Sequence, residues 1–82
     1  MNFYMISQDE NNDYDTYDAA VVAAPDKETA RNMDPCTGKP MKKWGEDFSP
    51  WCSSPDHVKV ELIGKAKPGT MTGVIVSSFN AG

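Results

Sequence analysis

With 82 residues, the chain can form one domain over residues 1–82 but only a thin core, because a domain of this size buries only about 60% of its unfolded surface. An apolar content of 39%, with three Phe, two Trp and three Tyr, argues against intrinsic disorder. The net charge of −4 excludes the basic footprint of a protein that binds nucleic acid directly.

Residues 2–7 contain aromatic and branched side chains, which favour a first β-strand. Phe3 and Met5 face one way in such a strand, and Tyr4 and Ile6 face the other. Both faces are apolar, which is typical of a central strand that is covered on two sides.

Residues 9–18, the acidic segment, hold five of the twelve carboxylates and two of the three tyrosines, with no basic residue. Asn and Asp favour turns because their side chains hydrogen-bond to nearby backbone. The segment is therefore predicted as a connection, and Tyr14, Thr16 and Tyr17 allow its second half to be extended. In either conformation it presents phenol rings beside carboxylates.

A second strand is predicted at residues 19–24, where an apolar run ends before a proline. A short helix is predicted from Lys27 to Met33, with Asp26 as its N-cap and Glu28 near the positive end of its dipole. Pro35 is expected to end this helix, since the residue before a proline disfavours helical backbone.

Residues 36–56, the tryptophan loop, contain three prolines, two glycines and both tryptophans, so little regular structure is expected. A loop this long in a small domain is normally functional or disordered. Trp44, Phe48 and Trp51 argue against disorder, because large apolar side chains fold a loop back over the core. The tryptophans are interpreted either as contact residues or as lids on the core.

Two further strands are predicted after this loop. Residues 57–63 alternate apolar residues, from Val58 to Leu62, with charged ones, and residues 73–79 form another branched run. A turn signal at Pro68 predicts that these two strands pair antiparallel with each other. The predicted fold is α+β, with an antiparallel sheet of about four strands, one short helix, ββαββ chain order and a long aromatic loop.

Asp9, Asn11, Asp13 and Asp15 have the odd-position spacing of a calcium-binding EF-hand loop. The glycine and the final glutamate of that motif are missing. A solvated turn is therefore the preferred interpretation.

Cys36, Cys52 and His57 could supply three soft ligands to zinc, but they lack the Cys-x-x-Cys pairs of strong zinc motifs. Cys52 and His57 also suggest a nucleophile and a base, although such pairs are recognised by geometry. We expect no metal, no cofactor and no enzymatic activity. Both cysteines are expected as free thiols in a reducing cytosol, with a loop-closing disulfide as the alternative.

The aromatic residues of the two connections carry the functional prediction. Tyr and Trp are enriched among residues that dominate binding energy at interfaces. Here they accompany uncompensated negative charge, which steers a basic partner. The predicted contact residues are Asp13, Tyr14, Asp15, Tyr17, Asp18, Trp44 and Trp51.

Two stretches resemble a group of small bacteriophage and prophage proteins: NDYDTYDAAVVAA at residues 12–24 and SFNAG at residues 78–82, together with the helix that contains Ala30 and Arg31. The resemblance covers most of the chain, is weakest from Cys36 to Trp51, and carries over no site residue. It implies a protein that acts inside a bacterium and binds something rather than converting it.

The leading hypothesis is a phage-type accessory protein that docks on a bacterial host or defence protein, with an inhibitory or anti-defence role such as that of an anti-CRISPR. The alternative is an oligomeric sponge that stacks a small nucleotide signal on Tyr and Trp, with Lys39, Lys42 and Lys43 at its phosphates. A homo-oligomer would also cover apolar surface that a small chain leaves exposed.

The longest apolar run, residues 19–24, is too short to span a membrane, and no charged and apolar leader opens the chain. We therefore expect a soluble protein in the bacterial cytoplasm.

Overall fold

The computed structural model describes residues 1–11, 16–45 and 50–80, with the backbone alone for Asn80. A four-stranded antiparallel sheet and one short α-helix confirm the predicted α+β class. In chain order the elements are β1 (Asn2–Ser7), β2 (Thr16–Ala24), α1 (Lys27–Arg31), a 3₁₀ helix (Pro55–His57), β3 (Lys59–Lys65) and β4 (Gly73–Asn80).

The strands lie in the order β3–β1–β2–β4, and every neighbouring pair is antiparallel. The prediction that β3 and β4 pair with each other is wrong, because they lie at opposite edges of the sheet. Residues 66–72 connect them across three strand spacings, about 14 Å, which their extended length of about 23 Å can cover. This connection passes the start of β1, where the Ala66 N–H donates to the Met1 carbonyl at 3.1 Å.

One face of the sheet is covered and the other is partly open. Tyr4 and Ile6 are buried beside their β2 partners Val22 and Ala20, whereas Met5, on the opposite face of β1, is 36% exposed. The strand is central, as predicted, but the expected cover on both sides is wrong. Helix α1 and the tryptophan loop pack on the same face, so one layer covers the sheet.

β3 begins two residues later than predicted, because Pro55, Asp56 and His57 form the 3₁₀ helix. Val58 is buried, but Leu62 is 60% exposed, although it lies opposite buried Tyr4 on the core-facing side of the sheet. The buried cluster contains Val58, directly before this edge strand, and Val60 of the strand packs against it, but Leu62 does not.

Helix α1 starts as predicted and ends two residues early. The Asp26 carboxylate accepts a hydrogen bond from the Thr29 N–H at 2.7 Å, which confirms the N-cap. Asn32 ends the helix: its backbone N–H and its side-chain amide both donate to the Glu28 carbonyl. Met33 is buried, and it pairs with Pro40 in an isolated bridge.

The core lies between the sheet and this single covering layer. Small residues on β2 leave room for Ala30 of α1 and for the large ring of Trp51, which is 1% exposed. The buried cluster consists of Tyr4, Ile6, Ala20, Val22, Ala24, Ala30, Met33, Trp51, Cys52 and Val58. Side chains of the tryptophan loop and of α1 are thus buried against β1 and β2, and this burial fixes both segments on the sheet.

Candidate interaction surface

Gln8 fixes the acidic segment at both of its ends. This side chain is 5% exposed and follows directly after β1. Its amide nitrogen donates to the carbonyls of Asn11 at 2.7 Å and Tyr17 at 2.9 Å, and its oxygen accepts from the Asn11 N–H at 2.8 Å. The Gln8 N–H also donates to the Asp18 carbonyl. A buried amide that is satisfied in this way holds the two ends of the segment at a fixed separation.

Hydrogen bonds to backbone carbonyls join the acidic segment to the tryptophan loop. The Tyr17 N–H donates to the Pro50 carbonyl at 2.8 Å. The Asn11 side chain donates to the Trp51 carbonyl at 3.2 Å. Two connections that are about forty residues apart in the sequence therefore form one surface.

Glu10 provides a third connection between them. One carboxylate oxygen accepts from the Ser53 N–H at 2.7 Å, and the other lies 2.9 Å from Nε2 of His57. Hydrogen bonds from Ser53, with a smaller attraction from His57, lower the pKa of the Glu10 carboxyl. The charged form of Glu10 is thus the one that holds the loop and the 3₁₀ helix against the acidic segment.

Arg31 of α1 secures the far side of the same 3₁₀ helix. Its Nη1 donates to the carbonyls of Val58 at 2.6 Å and Pro55 at 3.2 Å. Charge-assisted bonds of this kind are stronger than bonds between neutral groups. The helix, the loop end and the acidic segment are therefore held together as one unit.

Tyr17 contributes the aromatic part of the surface. Its ring meets Phe79 of β4 edge-on, with centroids 4.7 Å apart and an interplanar angle of 63°. Its hydrogen bond with Cys36, followed by burial, raises the pKa of the Tyr17 hydroxyl. Tyr17 is therefore a neutral phenol across the physiological range, half-buried and in contact with both the core cluster and Phe79.

Of the predicted contact residues, Tyr17 is half-buried, Asp18 is exposed and Trp44 is half-buried against the core. Asp13, Tyr14 and Asp15 lie outside the described residues. Trp51 is buried under the joined loops, which supports the interpretation of this tryptophan as a lid on the core. We therefore place Trp51 beneath the contact surface and not on it.

Sequence reasoning missed Gln8, Glu10, Asn11, Arg31 and Phe79 at this site. Phe79 is 45% exposed beside Tyr17 although it belongs to a strand predicted for the sheet alone. Gln8 directly follows an apolar strand, and a polar side chain that is buried there needs hydrogen-bond partners, which the backbone of the acidic segment supplies. Glu10 lies in the acidic segment, but its partners Ser53 and His57 lie far along the sequence, so no local pattern indicates these contacts.

Cys52 and His57 do not form an activated pair. Burial raises the pKa of the Cys52 thiol, which donates to the Ser54 carbonyl, while His57 faces Glu10. A nucleophilic cysteine needs the opposite shift, because the thiolate is the reactive form. Cys36 and Cys52 are both free.

Among the described residues, no group of three or more His, Cys, Asp or Glu side chains is arranged to hold a metal ion. Asp13 and Asp15 of the calcium-like pattern lie outside that part of the chain. Across residues 1–11, 16–45 and 50–80, no helix has both the length and the apolar character needed to cross a membrane.

Comparison of the chain with protein-family models, with curated proteins and with solved structures found no significant match.

Proposed function

We propose that this chain is a non-enzymatic binding protein, of the phage accessory type, that docks on a bacterial host or defence protein and inhibits it. The proposal rests on one observation: Glu10, Asn11 and Tyr17 of the acidic segment are hydrogen-bonded to the tryptophan loop. A surface that is ordered before binding loses less conformational entropy when its partner arrives.

The chemistry of this surface favours a partner with basic and apolar groups. Asp18 is an exposed carboxylate, and Asp9 is exposed but lies 3.6 Å from Nζ of Lys59. Half-buried Tyr17 meets Phe79, which is 45% exposed. Carboxylates attract Lys and Arg, and an aromatic ring adds contact area for the flat guanidinium group. In this proposal the tryptophan loop supports the acidic segment, to which it is hydrogen-bonded.

A pull-down from lysate of a bacterial host tests the proposal. The tagged wild-type chain is compared with two variants, Asp18→Lys and the double variant Tyr14→Ala with Asp15→Ala. Glu61→Lys is the matched control, since it makes the same charge change at an exposed strand residue away from the joined loops.

The expected result is a protein that is retained by the wild type and by Glu61→Lys and is lost from both surface variants. Purification of that protein then permits a direct affinity measurement and an assay of its inhibition. A captured protein that binds all four chains equally would contradict the proposed surface. Circular dichroism of each variant shows whether the fold is kept.

A small nucleotide is the second candidate ligand. Trp44 is half-buried and follows two exposed lysines, Lys42 and Lys43, so a stacking ring and two cations lie next to each other in the chain. Calorimetry with a panel of cyclic nucleotides tests this function. Binding that is lost on Trp44→Ala and kept on Asp18→Lys would favour the nucleotide over the protein partner.

A further inference from the structure

The two edge strands of the sheet differ in how they resist the addition of another strand. β3 carries Lys59, Glu61 and Lys65, whereas β4 contains no charged residue between Gly73 and Asn80. Charged side chains on an edge strand oppose the addition of a further strand. β4 is therefore the less protected of the two edges.

The second half of β4 is open to solvent. Every residue from Ile75 to Phe79 is exposed, and Val76 is 59% exposed. The start of the strand lies against other backbone, since an added Cβ on Gly38 would be 2.9 Å from the Val74 nitrogen. The stretch from Ile75 to Phe79 is thus the part of this edge whose main-chain groups an added strand can reach.

The side chains of this stretch present different chemistry on the two faces of the sheet. Val76 lies opposite Val21 of β2, and Val21 lies opposite Met5 of β1, so an apolar row on the open face ends at Val76. On the covered face, Phe79 meets Tyr17 with ring centroids 4.7 Å apart. An added strand would extend the apolar row beside Val76 and would place another side chain beside the Phe79 ring.

The end of β4 lies beside the acidic segment. Tyr17 pairs with Phe79, and Asp18 follows at a bulge in this pairing. Asp18 is exposed, and no basic side chain in the described part of the chain lies within ion-pair distance of it. By contrast, the Asp9 carboxylate already lies 3.6 Å from Nζ of Lys59. The carboxylate of Asp18 therefore complements a basic group supplied from outside.

We propose that the protein partner adds an extended basic segment to the four-stranded sheet, as a further strand along Ile75 to Phe79. This inference rests on the proposed function and names the part of the partner that is recognised. All neighbouring strands of the sheet are antiparallel, and antiparallel pairing is slightly more stable per residue. In that orientation the amino-terminal end of the segment lies beside Phe79. An arginine there stacks on the ring and extends its guanidinium toward Asp18, and the residues that follow alternate, with an apolar one beside Val76.

A second copy of this chain fits the same edge less well. β4 has no basic residue to place beside Asp18 of another copy, and the chain has a net charge of −4. β3 does contain lysines, but the first of them, Lys59, already faces Asp9. Pairing of β3 with β4 of the next copy would also be a head-to-tail contact that does not close by itself. The charges therefore favour a separate basic segment as the occupant.

Fluorescence polarisation of a labelled synthetic peptide with the full chain tests the added strand. In the probe, arginines precede alternating valines and threonines, and in a matched peptide glutamates replace the arginines. The arginine peptide is expected to bind about tenfold more tightly than the glutamate peptide. Val76→Lys is expected to weaken binding of the arginine peptide about tenfold, because it places a charge on the pairing edge. Ile63→Lys is the matched control, since Ile63 is 47% exposed but lies on β3, and it is expected to leave binding unchanged.

Methylation of the peptide backbone separates strand addition from simple attraction to Asp18. In an added strand only alternate amides face β4, so methylation of one alternate set is expected to abolish binding and methylation of the other to change it by less than about twofold. Equal binding of the two methylated peptides would overturn the proposal, and so would a failure of the arginine peptide to bind the wild-type chain.

The same measurements distinguish this inference from the proposed function. A host protein that is lost on Asp18→Lys but retained by Val76→Lys would support the contact surface and overturn the added strand. A host protein that is retained by both variants would count against the contact surface itself. Sedimentation equilibrium of the chain alone covers the remaining occupant: self-association that Val76→Lys abolishes would assign this edge to a second copy and overturn the proposal.

Discussion

Replacing Trp51 by alanine provides a direct test of its position beneath the joined loops. Trp51 is 1% exposed and lies in the cluster that contains Tyr4 and Ile6. Truncation of a buried tryptophan costs about 3–5 kcal/mol through lost burial and the cavity left behind. A domain of this length has a total stability of about 4–12 kcal/mol, so the variant is expected to lose a large part of it.

Trp44→Ala is the matched control, because Trp44 is half-buried at the edge of the same cluster. It loses roughly half of the burial energy of a large apolar side chain, which is about 1 kcal/mol. The two variants remove the same atoms from the same loop, so a difference between them reports burial and not loop composition.

Urea unfolding, followed by far-ultraviolet circular dichroism, measures both changes. With a slope of about 1 kcal/mol per molar urea, the midpoint is expected to fall by about 3 M or more for Trp51→Ala and by about 1 M for Trp44→Ala. Equal shifts, or a loss below about 1 kcal/mol for Trp51→Ala, would refute the assignment of Trp51 to the core and would return it to the contact surface.

Three further predictions concern charge, backbone and thiols. Since the folded-state pKa of Glu10 lies below its ordinary value of 4.5, its charged form stabilises the fold above that pH, and this stabilisation is lost as pH falls through the folded pKa. Glu10→Gln is therefore expected to lower the melting temperature at pH 7 and to match the wild type in acid; equal loss at both pH values would contradict this reasoning. Gly38→Ala is expected to destabilise more than Gly69→Ala in thermal unfolding, because both residues have positive φ but an added Cβ meets β4 backbone at 2.9 Å only at Gly38; equal effects would show that this close packing is unimportant. In native protein, a disulfide reagent is expected to label exposed Cys36 quickly and buried Cys52 only after denaturation, and rapid labelling of both would show that the loop opens readily.

Local sequence signals predicted the elements whose boundaries depend on neighbouring residues. The Asp26 N-cap and the start of α1 follow from hydrogen bonds within one turn, and the bounds of β1 and β4 follow from branched and aromatic runs. The end of α1 was missed because Pro35 was expected to end the helix, whereas hydrogen bonds from Asn32 to the Glu28 carbonyl end it earlier.

Strand order depends on interactions that a linear pattern does not contain. A turn signal at Pro68 suggested a tight hairpin, yet β4 pairs with β2, where Val76 lies opposite Val21 and Val74 opposite Val22. Pairing these apolar stretches outweighs the short connection, because extra loop length costs little entropy. The exposure of Leu62 follows from the same edge position of β3.

The site was predictable as two separate segments but not as one surface. The acidic segment was conspicuous from its composition, and the loop was conspicuous from its tryptophans. The contacts that join them use carbonyls of Pro50 and Trp51, and backbone acceptors leave no residue-type signature in a sequence. Only the fold brings these groups within hydrogen-bonding distance.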